Sequence, residues 1–367
     1  MNSIVSSAIQ HGTQDKKLGE FDDTEKLKIV ILGAGGGGNN TINRLHRAGI
    51  TGAQLVAVNT DKVDLMKKLP NQGITKILIG AKLTRGLGAG GFPEIGEKAA
   101  EASRHELEEV LAGTHMLFLT AGMGGGTGTG SAPVIAQIAK EAGAIVIAMV
   151  TFPFELERSR LDKAREGIDK LREAADTVVI IDNNKLVQYV PNLPLDKAFM
   201  VADEVVTRSV KGITETIMEP SLINLDFADI KAVLGGGGVA VISVGEGAGP
   251  NRVEEAVKNT ISHPLLEVDY KGATGALIHI TGGNDMTLGE ANRIGEMITS
   301  ELDPKSSVMW GARVNPNVSE HLDVIAIITG VHSPNILGAS SGKPRRKSDD
   351  SASMYSKDID ELNIKGL

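Results

Sequence analysis

Short apolar runs recur along the first half of the chain, at Leu27–Leu32, Gln54–Asn59, Lys76–Ile79, His115–Ala121, Ala144–Val150 and Thr177–Ile181. Their length and continuity fit strands buried on both faces of a parallel sheet. Helical spacing fills the intervals: up to Arg47, over Glu94–Leu111, Ser131–Lys140 and Glu155–Ala174. Alternation of this kind predicts an α/β domain, a Rossmann-like parallel sheet covered on both sides by helices.

The pattern changes at Leu195. From there to Met218 the spacing is helical, with Gly212 as the only glycine, and at 1.5 Å per residue such a helix spans roughly 36 Å. Beyond Pro220 come strand-like runs at Val239–Ser243, Ala276–Ile280, Val308–Trp310 and Val324–Ile328, with helical spacing at Arg252–Ser262 and Leu288–Glu301. These predict a smaller α+β domain. The expected organisation is a mobile arm over 1–26, a nucleotide-type domain over 27–194, a central helix and connection over 195–223, and the second domain over 224–331. Residues 332–367 lose the core-forming pattern and read as a polar linker, with a short acidic segment at Asp358–Ile364 suited to docking.

Three glycine-rich turns follow strands, at Gly33–Asn40, Arg85–Pro93 and Gly124–Gly130. They fall at the carboxyl ends of the strands, where open α/β sheets bind ligands. The third turn runs from a strand into a helix, which presents backbone N–H groups and the positive end of the helix dipole to an anion. It contains Thr127 and Thr129 but no lysine, so it is not a Walker A loop. Gly33-x-Gly35-x-x-Gly38 followed by Asp61 also fits the dinucleotide fingerprint, which makes a nicotinamide-dependent oxidoreductase one alternative. A dinucleotide needs one such loop, whereas three converging loops suit a longer phosphate chain.

Composition narrows the picture. The 367 residues carry a net charge of −8 and no cysteine. The charge argues against nucleic acid as the main partner, and the lack of cysteine removes disulfides, thiol nucleophiles and Cys-based metal sites. Neither a signal peptide nor a membrane-length apolar run is recognisable, so cytoplasmic location without membrane insertion is the expectation.

Two further groups of residues carry candidate chemistry. Phe199 and Asp203 share a face of the long helix at i, i+4. A ring can stack on a base, and a carboxylate accepts from both donors of the guanine edge; spacing alone favours a core Phe beside a surface Asp. Asn224-Leu225-Asp226-Phe227-Ala228-Asp229 joins the long helix to the second domain. Its carboxylates could polarise water or hold a cation, or could simply cap a helix. Glu157 and Arg160 open a charged helix.

Gly124-Gly125-Gly126-Thr127-Gly128-Thr129-Gly130 and Asn224-Leu225-Asp226-Phe227-Ala228-Asp229, in this order, resemble the signature loop and the synergy loop of the FtsZ family, the prokaryotic relatives of tubulin, in an archaeal form. The resemblance covers about 27–331. It implies a GTPase that polymerises head to tail for the cell-division ring at mid-cell; a GTP-binding structural relative with weak hydrolysis is a further alternative. It assigns Gly35, Gly36 and Asn39 to the first nucleotide loop, and Gly88, Ala89, Gly90 and Gly91 to the γ-phosphate side. Gly124, Gly125, Gly126, Thr127 and Gly128 would hold the phosphates, Glu157 and Arg160 the ribose and phosphate, and Asn183, Phe199 and Asp203 the guanine. Asn224, Asp226 and Asp229 would act on the nucleotide of the neighbouring subunit. GTP or GDP with Mg2+ is the implied ligand, no residue is assigned to the metal, and the tail would meet a membrane-anchoring or division protein. The chain departs from the family pattern at Phe92, where Asn is usual, and in Pro153–Arg160, which is one residue shorter.

Overall fold

The computed structural model describes residues 27–218, 227–234, 239–261, 270, 273–300, 302–316 and 318–331, without the side chains of 188, 189, 195, 196, 202 and 216. The expected arm, Asn224, Asp226, and the linker and tail from 332 onward lie outside these residues.

Six parallel strands form the first half: β1 (Ile29–Ala34), β2 (Ala53–Asn59), β3 (Thr75–Leu78), β4 (Met116–Gly122), β5 (Ile145–Phe152) and β6 (Thr177–Asp182). Four more follow: β7 (Val239–Ala248), β8 (Gly275–Gly282), β9 (Ser307–Val314) and β10 (His321–Thr329). β10 runs antiparallel between β7 and β8. All belong to one ten-stranded sheet in the order β3-β2-β1-β4-β5-β6-β7-β10-β8-β9. The two halves meet where β6 pairs with β7 through Val178↔Val239 and Val179↔Ala240.

The pleat explains the core. Alternate residues of β1 point to opposite faces, so Val30, Leu32 and Ala34 join one apolar cluster and Ile29 and Ile31 the other. The first cluster lies under the helices Pro93–Ala102, Thr127–Glu141 and Ser159–Ala174. The second takes in Ile42 and Leu45 of the helix Gly35–Arg47, and Val206, Val210 and Ile213 of the long helix. Each buried Val, Leu or Ile among these contributes roughly 1.5–3 kcal/mol by leaving water. The long helix runs over Leu195–Met218, with the bounds its spacing predicts.

Helix boundaries depart from expectation where side chains and glycines intervene. The expected helix over Glu94–Leu111 is two helices, Pro93–Ala102 and Arg104–Leu111. Ser103 breaks them at φ −115°, ψ 24°, and its hydroxyl accepts from Gly80 N–H at 3.1 Å. The helix expected from Ser131 starts earlier, at Thr127, so the end of the glycine loop is itself the first helical turn. The segment expected as Glu155–Ala174 opens with a 3-10 turn, Glu155–Glu157, before the α-helix Ser159–Ala174. Short helices at Lys62–Lys67, Ala81–Thr84, Asn183–Tyr189 and Phe227–Leu234 lack enough turns for a periodic signal.

Candidate functional site

Strand order reverses between β1 and β4, with Ala34 beside Ala121 at their carboxyl ends. Crevices at such a reversal are where α/β sheets take ligands. The three glycine loops meet there by direct backbone contact. A Cβ on Gly35, whose φ is +71°, would lie 2.8 Å from Gly128 N, and one on Gly126 would lie 2.9 Å from Phe92 N. No larger residue fits either place. The first and second loops therefore flank Gly126–Gly128 of the third, and Thr127 heads the helix whose dipole faces the crevice.

Polar side chains lock this arrangement. Thr60, fully buried at the end of β2, places its hydroxyl 2.6 Å from that of Thr127. The Thr129 hydroxyl accepts from Gly124 N–H at 2.8 Å. Lys163 Nζ donates to Gly91 O at 2.7 Å and stands 5.4 Å from the centre of the Phe92 ring. Phe92 thus serves as a platform for a lysine on the helix behind the loop. In the shortened stretch, Arg160 lies against the phosphate-type loop, since a Cβ on Gly124 would meet its backbone oxygen at 2.8 Å. Arg160 pairs with Glu157 at 2.5 Å, and the other Glu157 oxygen accepts from Phe154 N–H at 3.1 Å.

A second cluster lies along the first and long helices. Phe199 is 40% exposed, and its ring meets that of Phe154 edge-on at 5.7 Å. Asp203, largely buried, accepts from Arg44 at 2.9 Å and from the Thr41 hydroxyl at 3.3 Å. Burial pushes its carboxyl above the ordinary value, and the Arg44 charge opposes that shift. Asn39 is 1% exposed, and neither end of its amide has a hydrogen-bond partner; the Asn183 oxygen, also buried, has none either. Buried amides without partners are costly in a finished core and expected where a polar ligand completes the bonding. Thr41, Arg44, Thr60 and Lys163 escape a sequence reading, because each acts through a contact distant in the chain.

Asp229 is in the first turn of the helix Phe227–Leu234. That helix sits at the opposite edge of the sheet. Phe227 packs edge-on against His115, just before β4, at 6.1 Å, and Leu234 O accepts from Thr177 at the start of β6. The glycine loops lie beyond the far ends of these strands, and β4, at about 3.3 Å per residue, puts roughly 20 Å between the edges. Asp229 is therefore not brought together with the glycine loops of its own chain.

The dinucleotide alternative fails on Asp61. Its carboxylate caps the helix Lys62–Lys67, accepting from Val63 N–H at 2.8 Å and Asp64 N–H at 3.1 Å, instead of standing free for a ribose. Among the described residues, Glu246, His321 and Asp323 come close enough to one another to share a cation. They lie on β7 and β10, away from the loops, and Arg208 pairs with Glu246 at 3.3 Å.

Two family models match the chain: "Tubulin/FtsZ family, GTPase domain" over 28–191 and "FtsZ family, C-terminal domain" over 238–332. Cell division protein FtsZ 2 of Methanocaldococcus jannaschii is 60% identical over 346 residues, 94% of this chain and 90% of that protein. Cell division protein FtsZ 2 of Halobacterium salinarum is 51% identical over 352 residues, 95% of this chain and 89% of that protein. A solved structure titled as an empty FtsZ dimer of M. jannaschii aligns with a TM-score of 0.79 at 49% identity, covering 86% of this chain and 91% of that one.

Proposed function

We propose, for a chain that belongs to the tubulin/FtsZ family and is accordingly a filament-forming GTPase of cell division, that GTP lies across the three glycine loops and is hydrolysed only when a second subunit docks. The phosphates rest on Gly124–Gly128 and the first loop at Gly35 and Gly36. The γ-phosphate faces Gly88–Gly91. The base enters between Phe199 and the amides of Asn39 and Asn183, with Asp203 accepting from the guanine edge. Mg2+ would supply charge that offsets the phosphates, and no residue of the chain is assigned to hold it.

The residues divide the work. Backbone N–H groups of the loops and the helix end at Thr127 are fixed donors to the phosphates. Thr60 holds the Thr127 hydroxyl. Among the described residues, the carboxylates beside the loops are engaged elsewhere, Asp61 as a helix cap, Asp64 by Asn59 and Lys68, and Glu157 by Arg160, and phosphoryl transfer depends chiefly on the positioning of water and on charge. Asp229, with Asp226 and Asn224 of the same loop, supplies that function from the neighbouring subunit. The observation that carries this reading is the placement of the Asp229 helix at the sheet edge opposite the glycine loops. Stacked head to tail, one subunit's lower edge meets the next one's loops, and a contact that repeats without closing makes a filament.

The test is dilution of the wild type: GTP turnover per subunit should fall steeply below a threshold protein concentration. Turnover that stays constant down to concentrations with no assembly would place the water-orienting residues within one chain. Asp229→Ala should bind GTP and lose turnover. For the tail, docking of Asp358–Ile364 on a membrane-anchoring partner, which brings filaments to mid-cell, is the proposal. Deleting residues 340–367 should spare turnover and assembly and abolish recruitment; loss of GTPase activity on deletion would show that the tail belongs to the catalytic fold.

A further inference from the structure

We infer that Arg44 is a specificity-determining positioning residue: it fixes the Asp203 carboxylate in the geometry and charge with which it reads guanine. This rests on the assignment of Asp203 to the base. Arg44 lies five residues after Asn39 on the first helix, one turn beyond Thr41. Its guanidinium reaches across to the long helix and donates to Asp203 Oδ2 at 2.9 Å, while Thr41 donates to Oδ1 at 3.3 Å. The pair is sheltered, with side chains 24% and 16% exposed. Arg44 and Thr41 are the described groups that act on the Asp203 carboxyl, and both come from this one helix.

A half-hidden carboxylate without a counter-charge takes up a proton instead of staying ionised. The protonated form keeps one acceptor and gains a donor. Guanine presents two donors on its edge, N1–H and the 2-amino group, and only the ionised carboxylate accepts both. Arg44 uses one lone pair of Oδ2 and Thr41 one of Oδ1, and a carboxylate offers about four, so two remain for the base. In this reading Arg44 makes no contact with the base. It acts through Asp203, and Thr41 places the same helix, with the unpartnered Asn39 amide, on the other side of the same cluster.

The test compares equilibrium binding of GTP and of inosine triphosphate, which lacks the 2-amino donor, to the full chain and to Arg44→Met and Arg44→Lys. Wild type should prefer GTP by about tenfold or more, the value of a charge-assisted hydrogen bond. Arg44→Met, which keeps the aliphatic stem, should lose most of that preference, and raising the pH should restore part of it. Arg44→Lys, with the charge but not the planar fork, should retain a reduced preference. Thermal melting of each variant checks that the fold is intact. Equal weakening of both nucleotides in Arg44→Met, with the preference preserved, would overturn the role of Arg44. Absence of any preference in the wild type would instead overturn the assignment of Asp203 to the guanine edge.

Discussion

Asp203 and Thr127 each depend on a neighbour from a distant part of the chain. The Thr60 hydroxyl is buried and 2.6 Å from that of Thr127. Thr60→Val keeps the shape and removes the bond, so it should cost about 1 kcal/mol of stability and weaken GTP binding, measured by denaturant unfolding and equilibrium titration. Asp203→Ala should weaken GTP binding by about 1–3 kcal/mol; unchanged affinity would release Asp203 from the base site. The i, i+4 spacing of Phe199 and Asp203 puts a ring and a carboxylate on one helix face before any coordinates are known. Arg44 was not legible in this way. It lies 159 positions from its partner, and nothing local marks one arginine on a basic helix end as the one that crosses to another helix.

Helices in this fold are set by how closely they can cross. A Cβ on Gly130 would lie 1.9 Å from Pro93 O, and one on Gly96 would lie 2.3 Å from Gly126 O. These glycines bring the helices Thr127–Glu141 and Pro93–Ala102 into backbone contact, which seats the third loop on the second. Gly130→Ala should therefore destabilise the protein by about 1–3 kcal/mol or more, through backbone displacement, and lower GTP affinity in the same preparation. Lys163→Ala should leave melting nearly unchanged while loosening the loop that Lys163 holds through Gly91 O. The expected reading is a smaller difference between GTP and GDP affinity.

In the second domain, Arg252 anchors the helix Arg252–Ile261 to Leu288–Thr299, with Glu290 at 2.7 Å and Asp285 also in contact. The guanidinium holds the Glu290 carboxyl down at about 2, below its ordinary 4.5. A carboxyl depressed on folding adds stability above its unfolded value and loses it as pH falls through the folded one. Acid unfolding should steepen from about pH 4.5 downward, and Glu290→Gln should flatten that slope. The sequence announces the strands and the long helix because their periods run for many residues. It conceals the break at Ser103, which depends on a hydrogen bond to Gly80, and the early start at Thr127, where glycines hide a helical turn.

For the molecule as a whole, alternation of strands and helices foretells a parallel sheet with a smaller domain after it. What the pattern does not carry is the continuity of the sheet, because pairing of β6 with β7 is a contact between segments separated by the entire long helix. The same distance hides the polarity of the site. Asp229 reads from its spacing as the N3 residue behind an Asp226 cap, and the packing of its helix, Phe227 on His115 and Leu234 against Thr177, puts it at the opposite edge from the glycine loops. A mixture of Asp229→Ala with a variant that cannot bind nucleotide should regain some turnover, since each supplies what the other lacks. No recovery, with co-assembly verified by sedimentation, would count against a shared site.

The join between the halves has a mechanical meaning. Among the described residues, nine pairs tie β10 to β7, from His321↔Ala248 to Thr329↔Ala240, whereas two tie β6 to β7. The sheet is a beam with a narrow waist, and the long helix, packed on both sides of it, is the splint. Load applied along a row of such subunits should concentrate as torque at the waist, where fewer backbone pairs resist it. The waist then gives each subunit a flexure of its own, alongside any at the joints between subunits. Amide exchange at Val178, Val179, Val239 and Ala240 should outpace that of the flanking strands in the free protein and slow when subunits assemble; equal protection across the sheet would deny the waist its give.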